Sequence, residues 1–243
     1  LAGHEVTRFD IRVPAHATAD LTGETVQAVV PRGKHLLMRI GDYTLHSHLK
    51  MEGRWLVFAP GERWRSPAFQ ARAIVGTEHA VAVGFEIAMV DLVRTADEDA
   101  LVGHLGPDLL GPDWDAAEAA RRVASDPRPV HVAILDQRNL AGLGNEYANE
   151  LLFVRGLLPM RPANGLDAPV VVGLVDTAAR MIRANRDRNG RTFTGNTRPG
   201  QQNWVYRRER RPCRRCGTLI RRAELGATET SERIMFWCPV CQT

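Results

Sequence analysis

The first part of the chain alternates short apolar segments with turn-forming residues. Glycine and aspartate separate the segments, for example at Gly33 and at Gly41-Asp42. Short apolar or β-branched segments between such turn signals are typical of β-strands. The pattern therefore predicts an antiparallel β-sandwich. Its expected strands cover residues 25–30, 35–40, 43–49, 55–58, 73–75, 80–85 and 87–93.

The pattern becomes helical after about residue 112. Segments rich in alanine, glutamate and arginine replace the short strands. Proline or aspartate precedes several of these segments, which is a common helix start signal. We expect helices over residues 114–124, 129–140, 146–155 and 168–186. The phrase Gly142-Leu143-Gly144-Asn145 separates the second of these helices from the third.

These patterns predict an α+β chain with three parts. A β-sandwich is expected over residues 1–112, a helical domain over residues 113–200 and a small cysteine-bearing hairpin over residues 201–243. No apolar segment approaches the roughly 20 residues that span a bilayer. No signal segment opens the sequence either. We therefore expect a cytoplasmic protein with no membrane partner.

All four cysteines lie near the C-terminus, as Cys213-x-x-Cys216 and Cys238-x-x-Cys241. Two thiolates from each pair can complete a tetrahedron around Zn²⁺, as in structural zinc sites. Disulfides are the alternative, but nothing in the sequence indicates an oxidising compartment. The spacing predicts one structural zinc ion, held by all four cysteines.

The basic residues are unevenly distributed. Between Arg180 and Arg222 there are 14 arginines against two acidic residues. Such a local excess of positive charge favours a polyanion, and duplex DNA is the commonest one, although a solvated arginine-rich tail remains an alternative. Of the 32 basic residues only Lys34 and Lys50 are lysines. A lysine can exchange its proton when its pKa is shifted and an arginine cannot, so both lysines are candidates for chemistry.

Several motifs occur in the order found in one known family. Residues 135–150 resemble its helix–two-turn–helix, and residues 32–37 and 46–53 resemble its paired β-loops. Residues 204–206 and 233–242 resemble its zinc-finger hairpin. On these motifs the chain resembles the formamidopyrimidine-DNA glycosylase / endonuclease VIII family over nearly its whole length. Residues 91–93 and 103–108 look more like the endonuclease VIII branch, and specifically like its actinobacterial subgroup.

The resemblance implies a monomeric base-excision-repair enzyme at the bacterial nucleoid. Such enzymes remove a damaged base from double-stranded DNA, here an oxidised pyrimidine, and then cleave the strand at the abasic site by β/δ-elimination. Their nucleophile is an N-terminal proline followed by glutamate, whereas this sequence begins Leu1-Ala2-Gly3. We expect the sequence to be a piece of a longer enzyme. A non-catalytic zinc-dependent protein that binds damaged DNA and a zinc ribbon of transcription or translation are the alternatives.

Two residues match the family's catalytic positions besides the nucleophile. Lys34 matches the β-loop lysine that contacts phosphate and assists elimination as a proton donor. Arg233 matches the finger arginine that grips the phosphates and assists the second elimination. Without the resemblance, Lys34 would be interpreted as a solvated turn lysine.

The resemblance assigns DNA contacts to four further residues. Lys50 and Met51 match the loop that fills the gap left by a flipped nucleotide, with Met51 as a flexible apolar wedge. Asn145 matches a phosphate-contacting asparagine. His104 lies where the endonuclease VIII branch often has a DNA-contacting arginine. Without the resemblance, a core methionine at Met51 and a helix cap at Asn145 would be the ordinary interpretations.

Overall fold

The alternating apolar residues of the N-terminal part form two antiparallel sheets. The computed structural model describes residues 1–188, 190–225 and 233–243, and its first compact unit runs from Leu1 to His104. The strands of this unit are β1 (Arg8–Ile11), β2 (Val26–Arg32), β3 (His35–Ile40), β4 (Tyr43–His48), β5 (Arg54–Phe58), β6 (Ala71–Gly76), β7 (Val81–Phe85) and β8 (Met89–Arg94). The strand orders are β1-β6-β7-β5 and β2-β3-β4-β8. A short helix, α1 (Asp99–Val102), follows β8.

Apolar side chains from both sheets fill the space between them. Phe9 of β1 and Val75 of β6 belong to the same buried cluster as Met38 and Ile40 of β3 and Leu45 of β4. Successive side chains of a strand point to opposite faces, and Ile74, Val83 and Phe85 form a second apolar cluster outside the space between the sheets. The predicted N-terminal antiparallel β-sandwich is confirmed.

Strand β1 was not expected from the sequence. It pairs antiparallel with β6 and buries Phe9 and Ile11. The segment has only four residues, and Arg8 and Asp10 alternate with the two apolar ones and form an ion pair with each other. Two apolar residues are too few to distinguish a strand from a loop by periodicity.

The second compact unit, from Leu105 to Thr243, contains the helices and the C-terminal hairpin. Its elements are α2 (Ala116–Ala124), α3 (Val130–Leu135), α4 (Asn145–Arg155), α5 (Ala168–Arg186), β9 (Arg221–Leu225) and β10 (Arg233–Trp237). Val123, Ile134, Leu151 and Leu174 bring the four helices into one buried core. Strands β9 and β10 pair antiparallel. The α+β class is therefore confirmed, whereas the boundaries at residues 112 and 200 stay predictions.

Helix α3 ends at Leu135, before the expected end at residue 140. Asp136 has an extended backbone with ψ of 113°, and its carboxylate accepts a hydrogen bond from the backbone N–H of Arg138 at 3.0 Å. Short polar side chains that bind the backbone two residues ahead form turns that compete with helix. The ion pairs of Asp136 with Arg138 and Arg128, at 2.6 and 2.8 Å, then hold the turn.

None of the helices in the described ranges has both the length and the apolar character that crossing a bilayer requires.

Candidate functional site

The two lysines that are predicted to act at the site, Lys34 and Lys50, lie at one end of the β2-β3-β4-β8 sheet. His35 and His48 are directly opposite each other where β3 pairs with β4. Lys34 immediately precedes His35, and Lys50 follows His48 by two residues. Burial lowers the pKa of His48, and the charges of Lys50 and Lys34 lower it further. The two predicted β-loops are therefore neighbours in the structure.

Lys34 lies in the two-residue turn between β2 and β3. Gly33 precedes it with φ of +59°, a conformation that type II′ turns require and that glycine adopts at little cost. Arg32 and His35 pair on either side of this turn. The turn presents Lys34 at an exposed tip of the hairpin. Its proposed contact with phosphate stays a prediction.

The second β-loop has a left-handed residue at its start. Lys50 has φ of +54°, which is uncommon for a residue other than glycine, and its backbone N–H donates to Nδ1 of His48 at 3.0 Å. The next side chain, Met51, is 84% exposed. Met51 is therefore not a core residue, and its role as a wedge stays a prediction.

A chain of hydrogen-bonded side chains, which the motifs do not predict, lies beside these loops. The buried ring of His46 has Nδ1 3.1 Å from Oδ2 of Asp91 and Nε2 2.7 Å from Nδ1 of His35. Asp91 lies opposite His46 in β8. The signal in the sequence was the alternation of His46 and His48, which places two imidazoles on the same face of one strand.

The hydrogen positions of this chain follow from Asp91. A carboxylate only accepts, so His46 donates from Nδ1 and accepts at Nε2, and His35 donates from its own Nδ1. Burial lowers the pKa of His35 to about 4, with further contributions from the neighbouring imidazoles and Lys50. His35 is therefore neutral near pH 7, and its Nε2 is a hydrogen-bond acceptor.

The predicted DNA contact His104 belongs to the same group of residues. It lies exposed in the turn after α1, and its ring meets that of His35 edge to face with the centroids 6.5 Å apart. The first unit thus gathers three predicted site residues, Lys34, Lys50 and His104, around His35. Contact of His104 with DNA stays a prediction.

In the second unit, one glutamine side chain closes the loop between α3 and α4. Gln137 accepts a hydrogen bond from the N–H of Gly142 at 2.9 Å and donates to the carbonyls of Leu135 and Leu143 at 2.9 and 3.1 Å. Gly142 has φ of +100°, in the region that favours glycine. These bonds fix where the chain enters α4.

Asn145 is the first residue of α4, and Gly144 is its N-cap, so the side chain of Asn145 does not cap the helix. Its Nδ2 instead donates to the carbonyl of Ile234 at 2.8 Å, across 89 residues of sequence. Ile234 directly follows Arg233, which is exposed at the start of β10. The structure therefore brings together the two residues that the resemblance assigns to phosphate contacts in this unit.

A buried carboxylate connects α4 with the segment before the first cysteine pair. Glu150 accepts three backbone hydrogen bonds, from Trp204 at 2.7 Å, Val205 at 2.9 Å and Tyr206 at 2.8 Å. Burial raises the pKa of Glu150 to about 7, against the lowering effect of the three N–H groups. This segment is therefore held to the same helix that begins at Asn145.

His131 of α3 lies buried beneath the start of α4, with Nε2 3.5 Å from Nδ2 of Asn149. Burial lowers its pKa from 6.5 to about 4. Between these two values the unfolded chain binds a proton that the folded protein does not, so we expect the free energy of unfolding to decrease as the pH falls through this range. One group contributes at most about 1.4 kcal/mol per pH unit.

Denaturant unfolding of the parent protein and of His131→Gln at pH 7 and pH 5 measures this effect. The glutamine variant should lose less stability on acidification, because it lacks the titrating ring. An equal loss in both proteins would show that His131 is solvated in the folded state.

The four cysteines converge at the base of the hairpin. Their sulfur atoms all lie within 4.8 Å of one another, with Cys213 4.0 Å from Cys241 and Cys216 3.4 Å from Cys238. All four thiols are free, so the alternative of disulfides is wrong. A tetrahedral site with metal–sulfur bonds of about 2.3 Å has sulfur–sulfur separations of about 3.8 Å. The cluster fits a metal ion of this kind.

The two arginines between Cys213 and Cys216 have partners within the protein. Arg214 donates to the carbonyls of Asn203 and Gly200, at 3.0 and 2.7 Å, and to the side chain of Gln201. The guanidinium of Arg215 lies 4.5 Å from the ring centre of Phe153. Arginine content alone would have counted both among the DNA contacts, whereas here they attach the first cysteine pair to the rest of the unit.

Comparisons with known proteins agree with this arrangement. The N-terminal domain of formamidopyrimidine-DNA glycosylase matches residues 1–106, and the H2TH domain of formamidopyrimidine-DNA glycosylase matches residues 105–195. Among solved structures, Lactococcus lactis formamidopyrimidine DNA glycosylase bound non-covalently to DNA with an AP site has a TM-score of 0.80 at 22% identity. The similarity covers 100% of this chain and 93% of that chain, and it shows a common fold.

Curated relatives are similar over the full length of the chain. A probable endonuclease 8 2 of Streptomyces coelicolor is 52% identical, covering 100% of this chain and 88% of the relative. A DNA-(apurinic or apyrimidinic site) lyase of Mycolicibacterium smegmatis is 48% identical, covering 100% of this chain and 92% of the relative. The chain therefore belongs to the formamidopyrimidine-DNA glycosylase / endonuclease VIII family, and its similarity is to the actinobacterial endonuclease 8 2 proteins.

Proposed function

We propose that this protein is a bifunctional DNA glycosylase and AP lyase of base excision repair. It removes oxidised pyrimidines from duplex DNA at the nucleoid and then cleaves the strand at the abasic site. The observation that carries the proposal is the hydrogen bond between Asn145 and Ile234, because it joins Asn145 to the residue that follows Arg233. An amide N–H and a guanidinium are both donors that suit the oxygens of a phosphate backbone.

The first unit supplies the residues that act at the lesion. Lys34 donates a proton during elimination, and its exposed position at the hairpin tip gives it access to a phosphate. Lys50 and Met51 occupy the space that a flipped nucleotide leaves, which the exposure of Met51 permits. His35, the next residue along the chain, has a neutral ring, and the bonds through His46 to Asp91 fix its tautomer.

The second unit supplies a zinc-stabilised hairpin. Zn²⁺ is the ion that four thiolates at tetrahedral separations select, and such a site is structural because it leaves no coordination position open. Bound zinc would join the two cysteine pairs, Cys213/Cys216 and Cys238/Cys241. One pair precedes β9 and the other follows β10. A metal ion bound by both pairs would therefore hold the hairpin together and keep Arg233 in place.

A strand-cleavage assay tests the proposed activity. The substrates are duplexes carrying thymine glycol, a pre-formed abasic site or no damage, and the protein is residues 1–243 preceded by an N-terminal Pro-Glu segment like the family's. We expect cleavage of the first two duplexes and none of the third. Binding of both damaged duplexes without cleavage would contradict the proposal and support a non-catalytic DNA-binding protein.

A further inference from the structure

The start of α4 and the outer edge of β10 are joined by two amide side chains. Asn149, one helical turn after Asn145, is completely buried. We propose that Asn149 is a positioning residue that sets Asn145 and Arg233 as one phosphate-binding pair, fixing both their separation and the direction of the Asn145 amide. The inference rests on the proposed function, since the ligand of the pair is a backbone phosphate of DNA.

Asn149 holds the helix side of the pair through its amide nitrogen. Its Nδ2 donates to the backbone carbonyl of Asn145 at 2.8 Å and to Oδ1 of the same residue at 3.2 Å. Because Oδ1 of Asn145 accepts this hydrogen bond from Asn149, the Asn145 amide is oriented with its Nδ2 pointing away from Asn149. That nitrogen has two hydrogens, one of which binds the carbonyl of Ile234.

The amide oxygen of Asn149 holds the strand side. It accepts the backbone N–H of Phe236 at 2.5 Å. Alternate residues of a strand direct their backbone groups to the same edge, so Ile234 and Phe236 present a carbonyl and an N–H to α4 along one edge of β10. The two bonds fix β10 at two points beside Arg233, which is the residue before Ile234.

The direction of the Asn145 amide decides whether it attracts or repels a phosphate. A phosphate diester offers only acceptor oxygens, so an amide must present its N–H and not its carbonyl. Without the bond from Asn149 to Oδ1, the Asn145 amide keeps its bond to the carbonyl of Ile234 but loses one of the contacts that fix its direction. The carboxylate nearest to Asn145 in sequence, Glu146, is paired with Arg191 at 3.5 Å and accepts from Asn203 at 3.0 Å.

Asn149→Leu tests the proposal, because it keeps the size of the side chain and removes every hydrogen bond. Binding of the full chain to a duplex with a tetrahydrofuran abasic analogue is measured at several salt concentrations. We expect affinity to fall about tenfold and the salt slope to decrease by about one, as for the loss of one phosphate contact. In an Arg233→Ala background, Asn149→Leu should weaken binding less than about twofold, since coupled residues are not additive.

Asn185→Leu is the matched control. Asn185 is also a buried asparagine of the second unit, and it binds the backbone of Thr192 and Met181 without touching β10. Its variant should keep the salt slope of the parent. A second variant, Asn149→Ser, retains a small polar group and keeps the test valid if the leucine variant does not fold. It should show the same coupling with Arg233→Ala.

Each outcome decides one claim. Additive effects of Arg233→Ala with either Asn149 variant would overturn the inference, because Asn149 would then act only on stability. An unchanged affinity and salt slope in Arg233→Ala would instead contradict the assignment of Arg233 to DNA in the proposed function. Zinc content of about one ion per chain in every variant confirms that the hairpin is intact in the comparison.

Discussion

Lys34→Ala should reduce strand cleavage at an abasic site by about a hundredfold or more, as expected for the loss of a proton-transfer group. Lys34 lies at the exposed tip of the β2–β3 hairpin, directly before His35 in the chain. Arg cannot replace it, because a guanidinium keeps its proton under all relevant conditions. The measurement is a single-turnover rate on a duplex with a pre-formed abasic site, at saturating protein.

Lys50→Ala is the matched control for Lys34→Ala. Both are exposed lysines at the same end of one sheet, and both lower the pKa of His48. Lys50→Ala should weaken DNA binding and leave the single-turnover rate at saturation within a few-fold of the parent. Equal losses of rate in the two variants would show that the lysines act through charge alone.

Cys238→Ser should remove the metal and most of the DNA affinity together. Cys238 is completely buried and packs with Phe153, Val205 and Phe236 in the small core of the hairpin. Metal binding and local folding are coupled in sites of this kind, so the loss of one thiolate unfolds the hairpin. Arg233 then loses its position.

Zinc content by elemental analysis and affinity for abasic duplex measure this effect. Dialysis of the parent protein against a chelator should give the same loss, and Zn²⁺ should restore binding where Mg²⁺ does not, because thiolates prefer the softer ion. Protein purified without chelator that contains no stoichiometric zinc, yet binds DNA, would contradict the assignment.

The features that could be predicted from the sequence depend on local spacing. The two cysteine pairs identify their cluster because the ligand geometry of a tetrahedral metal constrains spacing within each pair. The sandwich follows from apolar segments that recur between turn residues, as at Gly33. Periodicity predicts the end of α3 five residues too late, because Asp136 ends the helix by a side-chain bond that periodicity does not show.

The features that the sequence did not reveal depend on contacts between distant segments. His46 binds Asp91 across 45 residues, and Asn149 binds Phe236 across 87 residues. Neither contact leaves a recognisable motif in the sequence, because any two strands or helices that pack together can bring such groups into contact. The same holds for Arg214, whose partners in the segment before the hairpin could not be inferred from its charge.

Covalent trapping with borohydride tests the proposed chemistry most directly. A secondary amine attacks C1′ of the damaged nucleotide, the base leaves, and the resulting iminium is reduced by hydride to a stable protein–DNA bond. On a duplex with an oxidised pyrimidine, we predict a trapped adduct for residues 1–243 preceded by the Pro-Glu segment and little or none for residues 1–243 alone. Equal trapping by residues 1–243 alone would place the nucleophile within these residues and contradict the mechanism, and no trapping by the extended chain would contradict the proposed glycosylase.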